Sequence, residues 1–269
     1  MLSINDLKPR LRAALRALTG VVDTPVTPTP ALVDSPPTPP STPVAPLDRY
    51  TVATTYLQGE GIEIGALHLP LAVPPTAHVR YVDRMSAADL RTHYPELSSV
   101  NLVEVDIIDD GEHLTSIAAN SQDFVIANHF LEHCQDPIAT IKNLLRVVRV
   151  GGILYMAVPD KRYTFDRDRQ VTSIEHLLRD HAEGPAWSKH QHFEEWTRLV
   201  NKVTDEAKAQ QEIAHLLAID YSVHYHVWTQ IELLELFVTL RHQFALPFDI
   251  ELSLKHGIEY IIVLRKLEG

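Results

Sequence analysis

The chain has 269 residues, of which 45% are hydrophobic and 22% charged, enough for one large α/β domain with an appendage. A formal charge of -11 argues against DNA or RNA as the main partner, since phosphate binding favours basic surfaces. Cys134 is the only cysteine, so no intrachain disulfide forms; with no apolar run near the roughly 20 residues of a membrane span and no secretion-signal core, a cytoplasmic protein is expected.

Residues 1–20 predict an amphipathic helix, capped by Ser3 and ended by Gly20, with Ile4, Leu7, Leu11, Leu15 and Leu18 on one face. Pro9 implies a late start or a kink. Such a stripe packs on its own domain or on a second copy, so self-association or partner docking through residues 1–20 is open; a membrane-surface anchor is the sharper alternative. Residues 21–47 hold nine of the chain's 18 prolines between threonines and serines, the composition of an extended linker.

Residues 48–269 alternate strand-like and helix-like stretches. Strands are expected at Ile62–Gly65, "HVRYVDR", "LVEVDI", "DFVIANH" and "GGILYMAVP". Between the last two, "DPIATIKNLLRVVRVGG" predicts a helix capped by Asp136, opened by Pro137 and closed by Gly151. "FDIELSL" and "EYIIVLRK", joined by Lys-His-Gly, read as an antiparallel hairpin. The expected fold is therefore a Rossmann-like, doubly wound α/β sheet, mostly parallel, with an insertion over residues 160–228 after strand five.

Ligands of such sheets bind beyond the strands' carboxyl ends, which here carry Gly65-Ala66, Asp83, Asp106-Ile107 and Asn128-His129. Asp83 follows Glu63 by 20 residues, where nucleoside sites place an acid against ribose hydroxyls. Gly59, Gly61 and Gly65 do not have dinucleotide spacing, and Ala-Leu-His-Leu-Pro-Leu after Gly65 is too bulky to cradle a diphosphate. A glutamate beside that turn repels phosphate but suits an ammonium. Ribose, adenine and a cationic amino-acid end fit this pattern better than a nicotinamide.

Taken in register, "GIEIGA", "VRYVDR", "VEVDI", "DFVIANHFLEH" and "LLRVVRVGGILYMAVPD" resemble the class I S-adenosylmethionine-dependent methyltransferases over roughly residues 56–160. The resemblance implies a seven-stranded sheet ending in the hairpin, and S-adenosylmethionine as cofactor. It implies Glu63, Gly65 and Ala66 at the methionine end, and Asp83 with Arg84 at the ribose. It also implies Asp106 at the adenine amino group, Ile107 offering its N–H to the ring, and Asn128 with His129 between cofactor and acceptor. Where the family has further glycines in the first loop, this chain has Ala66 and His68.

The insertion concentrates histidines, arginines and aromatics, as a cover recognising a polar acceptor would. His129, His226 and His224 are the candidate bases, His129 by its strand-end position and the other two as alternating neighbours on one face. The spacing of His224 with His226, and of His190 with His192, permits a metal, but no carboxylate cluster accompanies them at a recognised spacing and none is expected. His133 reads as a brace of the following helix, Asp166 with Arg167 as a solvated ion pair, and Lys161 with Arg162 as an acceptor-binding or surface pair. "VPDKRYTFDRDR" also resembles methyltransferases encoded near bacterial glycan-assembly enzymes, which ranks sugars and glycan precursors first among small polar acceptors. The rival reading is a non-catalytic, methyltransferase-like nucleoside-binding or scaffold module.

Overall fold

The computed structural model describes residues 47–269; the expected helix at 1–20 and nearly all of the linker at 21–47 lie outside them. Seven strands form one sheet: β1 (Gly59–Ile64), β2 (Ala77–Asp83), β3 (Ile107–Ile108), β4 (Gln122–Asn128), β5 (Val148–Pro159), β6 (Phe248–His256) and β7 (Glu259–Lys266). Their order is β3-β2-β1-β4-β5-β7-β6. The first five strands are parallel, and β7 runs antiparallel between β5 and β6. Strand order reverses between β1 and β4, so the switch point falls at the ends of these two strands.

Two apolar layers sandwich the sheet. Ile62, Ile64, Val125, Leu154 and Met156 face helices α3 (Pro137–Val147), α4 (Ile174–Glu183) and α7 (Gln230–Gln243). On the opposite face Phe124, Ile126, Tyr155 and Ile261 pack against Val52, Ala53 and Leu57, around helix α1 (Arg49–Tyr56). The alternation of β1 thus sends Glu63 to the α1 side while its neighbours Ile62 and Ile64 enter the other layer.

Helix α3 starts as read, with Pro137 in its first turn and the Asp136 carboxylate accepting the Ala139 N–H at 2.9 Å. It ends earlier, at Val147. Val148 turns to φ -66°, ψ 136°, and 148–152 belong to β5, where a register shift opposite Gln122 and Phe124 takes up the glycines. The valine run, apolar at helical spacing, prefers the strand. "LVEVDI" is corrected as well: only Ile107 and Ile108 pair with β2. Asp106, one residue before the strand, uses its carboxylate to accept the Tyr81 N–H at 2.8 Å.

The insertion is helical. Helix α4 is capped by Ser173, α5 spans Ala186–Glu195 and runs into a π turn at Trp196–Val200, and α6 spans Glu206–Ala218 with Asp205 as cap. A strap, 219–228, returns to the sheet, where Asp160 bridges to Trp228 and so pins both ends of the insertion together. Helix α2 (Ala87–His93) follows β2, and the turn after it, Pro95–Leu97, meets this strap through Glu96.

Candidate active site

A cavity of about 470 Å³ opens beyond the carboxyl ends of β1, β2 and β4, within the usual range for small-molecule sites. Its floor carries Ile64, Gly65, Asp83, His129 and Phe130. The far wall comes from Asp220, Tyr221 and Ser222 of the strap. Tyr221 Oη donates to Glu96 at 3.2 Å and Arg84 reaches Asp220 at 3.4 Å, so side chains from α2's neighbourhood hold the strap over the opening.

The backbone here is unusual. Gly65 has φ +64°, and a Cβ added to it would have no atom within 4 Å, so the turn presents bare backbone to open space. At Gly111 an added Cβ would come within 2.6 Å of Ile64, so only glycine lets the chain after β3 pass so close to β1. Leu67, His129 and Asp220 are three of the seven described non-glycine residues with positive φ, and all three line this cavity. Such strained conformations cluster where surrounding structure enforces a functional shape.

Asp83 ends β2 on the cavity wall, its carboxyl raised by burial against the N–H groups of Arg84 and Met85. Arg84 also lines the cavity, its guanidinium turned to Tyr94 Oη and Asp220. Glu63 lies elsewhere. It is 1% exposed, on the α1 face, and both its oxygens accept the Leu71 N–H, at 3.0 and 3.1 Å. Burial pushes it up to about 7, against the pull of that N–H and of Arg49. Its carboxylate therefore shapes the 65–71 loop from beneath. Ala66, Ile107 and Asn128 border the cavity's residues without lining it, and both amide atoms of Asn128 are buried with no hydrogen-bond partner. Asp106 is exposed and occupied by Tyr81; the acids on the wall after β3 are Asp110 and Glu112.

The histidines separate sharply. His129 Nε2 donates to Glu259 Oε2 at 2.8 Å, and its Nδ1 faces Glu132 Oε1 at 3.5 Å. Burial alone would lower it, but the two carboxylates win and hold it up at about 9. It is therefore an imidazolium at neutral pH and not a base. Glu259 also takes both guanidinium nitrogens of Arg49, and these two cations keep it well below the carboxylate range despite burial. His226 is 0% exposed and absent from the wall, which corrects its reading as a base. His224 is buried behind the wall, its Nδ1 2.7 Å from Asp166.

His133, read from the sequence as a brace of the following helix, is the histidine placed to react. It lines the cavity, and burial beside His224 pushes it down to about 4, so it is neutral at pH 7. Its Nδ1 lies 3.0 Å from both the Val223 carbonyl and Ser222 Oγ; with the proton on Nδ1 for that carbonyl, which only accepts, the lone pair sits on Nε2. The sign in the sequence was its place four residues beyond His129, on the single turn Leu131–His133 after β4. Three further readings change. Asp166 is 1% exposed and pairs with Arg169 at 3.0 Å, not with Arg167. Lys161 is buried and donates to the Arg167 carbonyl, and Arg162 is engaged by Asp160 and Tyr260, so neither faces the cavity.

Residues 61–156 match the family model described as "Methyltransferase domain". No curated protein matches the chain. Among solved structures, a SAM-dependent methyltransferase from Methanosarcina mazei shares 18% identity, with 83% of this chain and 100% of that one covered and a TM-score of 0.45. One from Thermotoga maritima shares 15% identity, with 78% and 83% covered and a TM-score of 0.40. A protein from Rhodobacter sphaeroides, named for zinc-dependent alcohol dehydrogenases, shares 14% identity, with 79% and 86% covered and a TM-score of 0.49. At such distances the sheet order itself, and not these likenesses, carries the fold.

Proposed function

We propose, from the match of residues 61–156 to a methyltransferase domain and from the sheet order, that the chain is a class I S-adenosylmethionine-dependent methyltransferase and methylates a hydroxyl of a small polar acceptor, a sugar or glycan precursor first. The observation that carries this is the cavity, which joins a cofactor-type floor at the switch point to a polar, aromatic wall supplied by the insertion. Tyr94 and Tyr221 offer apolar faces to the C–H side of a sugar ring, while Glu96, Asp220 and Ser222 offer acceptors to its hydroxyls.

The residues present suit S-adenosylmethionine, which when bound supplies an electrophilic methyl group on a sulfonium. Asp83 would accept from the ribose hydroxyls, and Gly65 with Ala66 would admit the methionine end. Asp110 takes the place first given to Asp106 at the adenine, while Glu63 holds the loop that closes on the cofactor. Alignment within the closed cavity provides much of the rate. The neutral His133 receives the acceptor's O–H proton at Nε2, and His129, fixed between two carboxylates, sets the electrostatics of the floor.

The test is a panel of sugars, activated sugars and small amines with methyl-labelled S-adenosylmethionine, read by mass spectrometry. A methylated sugar product is expected. Methylation confined to amines would refute the hydroxyl-acceptor reading, and cofactor binding without turnover on any class would favour the non-catalytic module.

A further inference from the structure

Away from the cavity, within the insertion, four side chains from three segments meet. His176 and Asp180 lie one turn apart on α4, His192 comes from α5, and His226 from the strap. One donor atom of each lies within 4.8 Å of all the others. His176 Nε2 stands 3.2 Å from His192 Nε2 and 3.1 Å from Asp180 Oδ2, and His226 Nε2 is 3.6 Å from the same oxygen. Two ligands of a tetrahedral zinc at about 2.0–2.1 Å are themselves roughly 3.3 Å apart.

As a purely protein arrangement this cluster is poorly satisfied. Asp180 Oδ2, the oxygen that faces His176 and His226, is buried without a hydrogen-bond partner, His226 Nε2 has only the Gln135 carbonyl at 3.4 Å, and Asp180 and His226 are both 0% exposed. One hydrogen bond between His176 and His192 leaves the carboxylate's inner oxygen unmatched, and unmatched buried polar atoms are costly. The other carboxylate oxygen, Oδ1, accepts from Ser188 Oγ at 2.8 Å, as an orienting partner behind a metal ligand does. Trp187 and Trp228 pack beside His176 and His226 and keep water away.

We propose that His176, Asp180, His192 and His226 bind a structural zinc ion. Three imidazoles and one carboxylate are the donor set of a divalent first-row metal, and a four-residue tetrahedral shell favours zinc. With four protein ligands the shell is closed, so the ion fastens α4, α5 and the strap together and does not act on substrate. Its effect on the active site is indirect: the strap that contributes His226 also contributes Asp220, Tyr221 and Ser222 to the cavity wall. His176, the one partly exposed ligand, gives the ion its way in.

The first experiment is elemental analysis of the full chain purified without a metal-affinity step from zinc-supplemented culture. About one zinc per chain is expected, with X-ray absorption showing nitrogen and oxygen neighbours at about 2.0–2.1 Å, imidazole scattering and no sulfur. That measurement needs no variant, so it stands even where substitutions impair folding. Asp180→Asn and His226→Ala should lose the metal, with a lower melting temperature and faster proteolysis of residues 160–228. His224→Ala should keep it, although His224 with Glu132 and His133 forms the other described group able to hold an ion. Wild-type protein that is folded, empty, and takes up neither Zn²⁺ nor Co²⁺ after chelation would overturn the proposal. So would zinc retained in Asp180→Asn but lost in His224→Ala, or a sulfur neighbour from Cys134.

Discussion

Replacing Glu259 by glutamine tests the charged network under the active-site floor. In the wild type the carboxylate answers two cations, Arg49 and His129, whose side chains are 27% and 20% exposed. Breaking a buried pair costs about 3–5 kcal/mol; partial exposure and the amide's remaining acceptor reduce this to about 2–3 kcal/mol. For a chain of this size that is a fall of roughly 5–10 °C in melting temperature. The pH dependence is more specific. His129 is raised in the folded protein, so its contribution is complete below its unfolded value near 6.5 and is lost as pH rises through about 9. A shift from 6.5 to about 9 corresponds to about 3 kcal/mol. Urea unfolding of both proteins between pH 6 and 10 reads this part, because groups that do not touch Glu259 cancel in the difference; His256, whose Nδ1 lies 3.2 Å from Glu259, is replaced by alanine in both. Wild type should lose part of its advantage over Glu259→Gln across that window, the part that Glu259 adds to the pull of Glu132 on His129. A constant difference, or a His129 ring resonance that titrates below pH 7, would refute the imidazolium reading and restore His129 as a base.

Asp83→Ala should weaken S-adenosylmethionine binding by about 1–3 kcal/mol in calorimetry while the melting temperature holds, since the side chain ends a strand on the cavity wall. His133→Ala should lower turnover on an identified acceptor by about 10²–10⁴-fold with cofactor affinity nearly unchanged; normal turnover would leave alignment alone to drive transfer. Glu63 is raised from 4.5 to about 7, so its contribution is complete below pH 4.5 and lost on rising through 7. Glu63→Gln should therefore gain on wild type over that range in chemical unfolding, and a flat difference would mean that the carboxyl is not desolvated. Deleting residues 1–46 should leave cofactor affinity intact by calorimetry, because a proline-rich stretch separates the N-terminal segment from the domain.

The strands were legible because each pairs an apolar run with a turn residue, and the hairpin because Lys-His-Gly interrupts two alternating segments. The errors came where two local codes overlap. Val147, Val148 and Val150 satisfy a helical period, yet only Val147 stays in the helix, and the branched side chains of Val148 and Val150 go to β5 once Val148 has turned. Asp106 looked like a strand-end acid because periodicity gives no account of where pairing starts; two pairs alone, at 107 and 108, move the carboxyl end towards Asp110. The histidines were found as a population but not as individuals. His224 and His226 alternate in the chain, yet the strap forms no ladder apart from one bridge, and they reach different partners, Asp166 for one and the α4–α5 cluster for the other. Such partners lie dozens of residues away, and no window of sequence contains them.

Strand β7 is made after β6 but lies inside it, between β6 and β5. During synthesis, then, β5 exposes a bare hydrogen-bonding edge, and β6 has no partner, until residues 259–266 leave the ribosome. Glu259 opens that strand, and with it arrives the acceptor for both Arg49 and His129. A nascent or truncated chain lacking this segment would leave Arg49 without its carboxylate and His129 with Glu132 alone, beside an open sheet edge, a combination that invites aggregation and proteolysis. Completion of the sheet and completion of the site's charge balance are thus the same event, and an unfinished chain has neither.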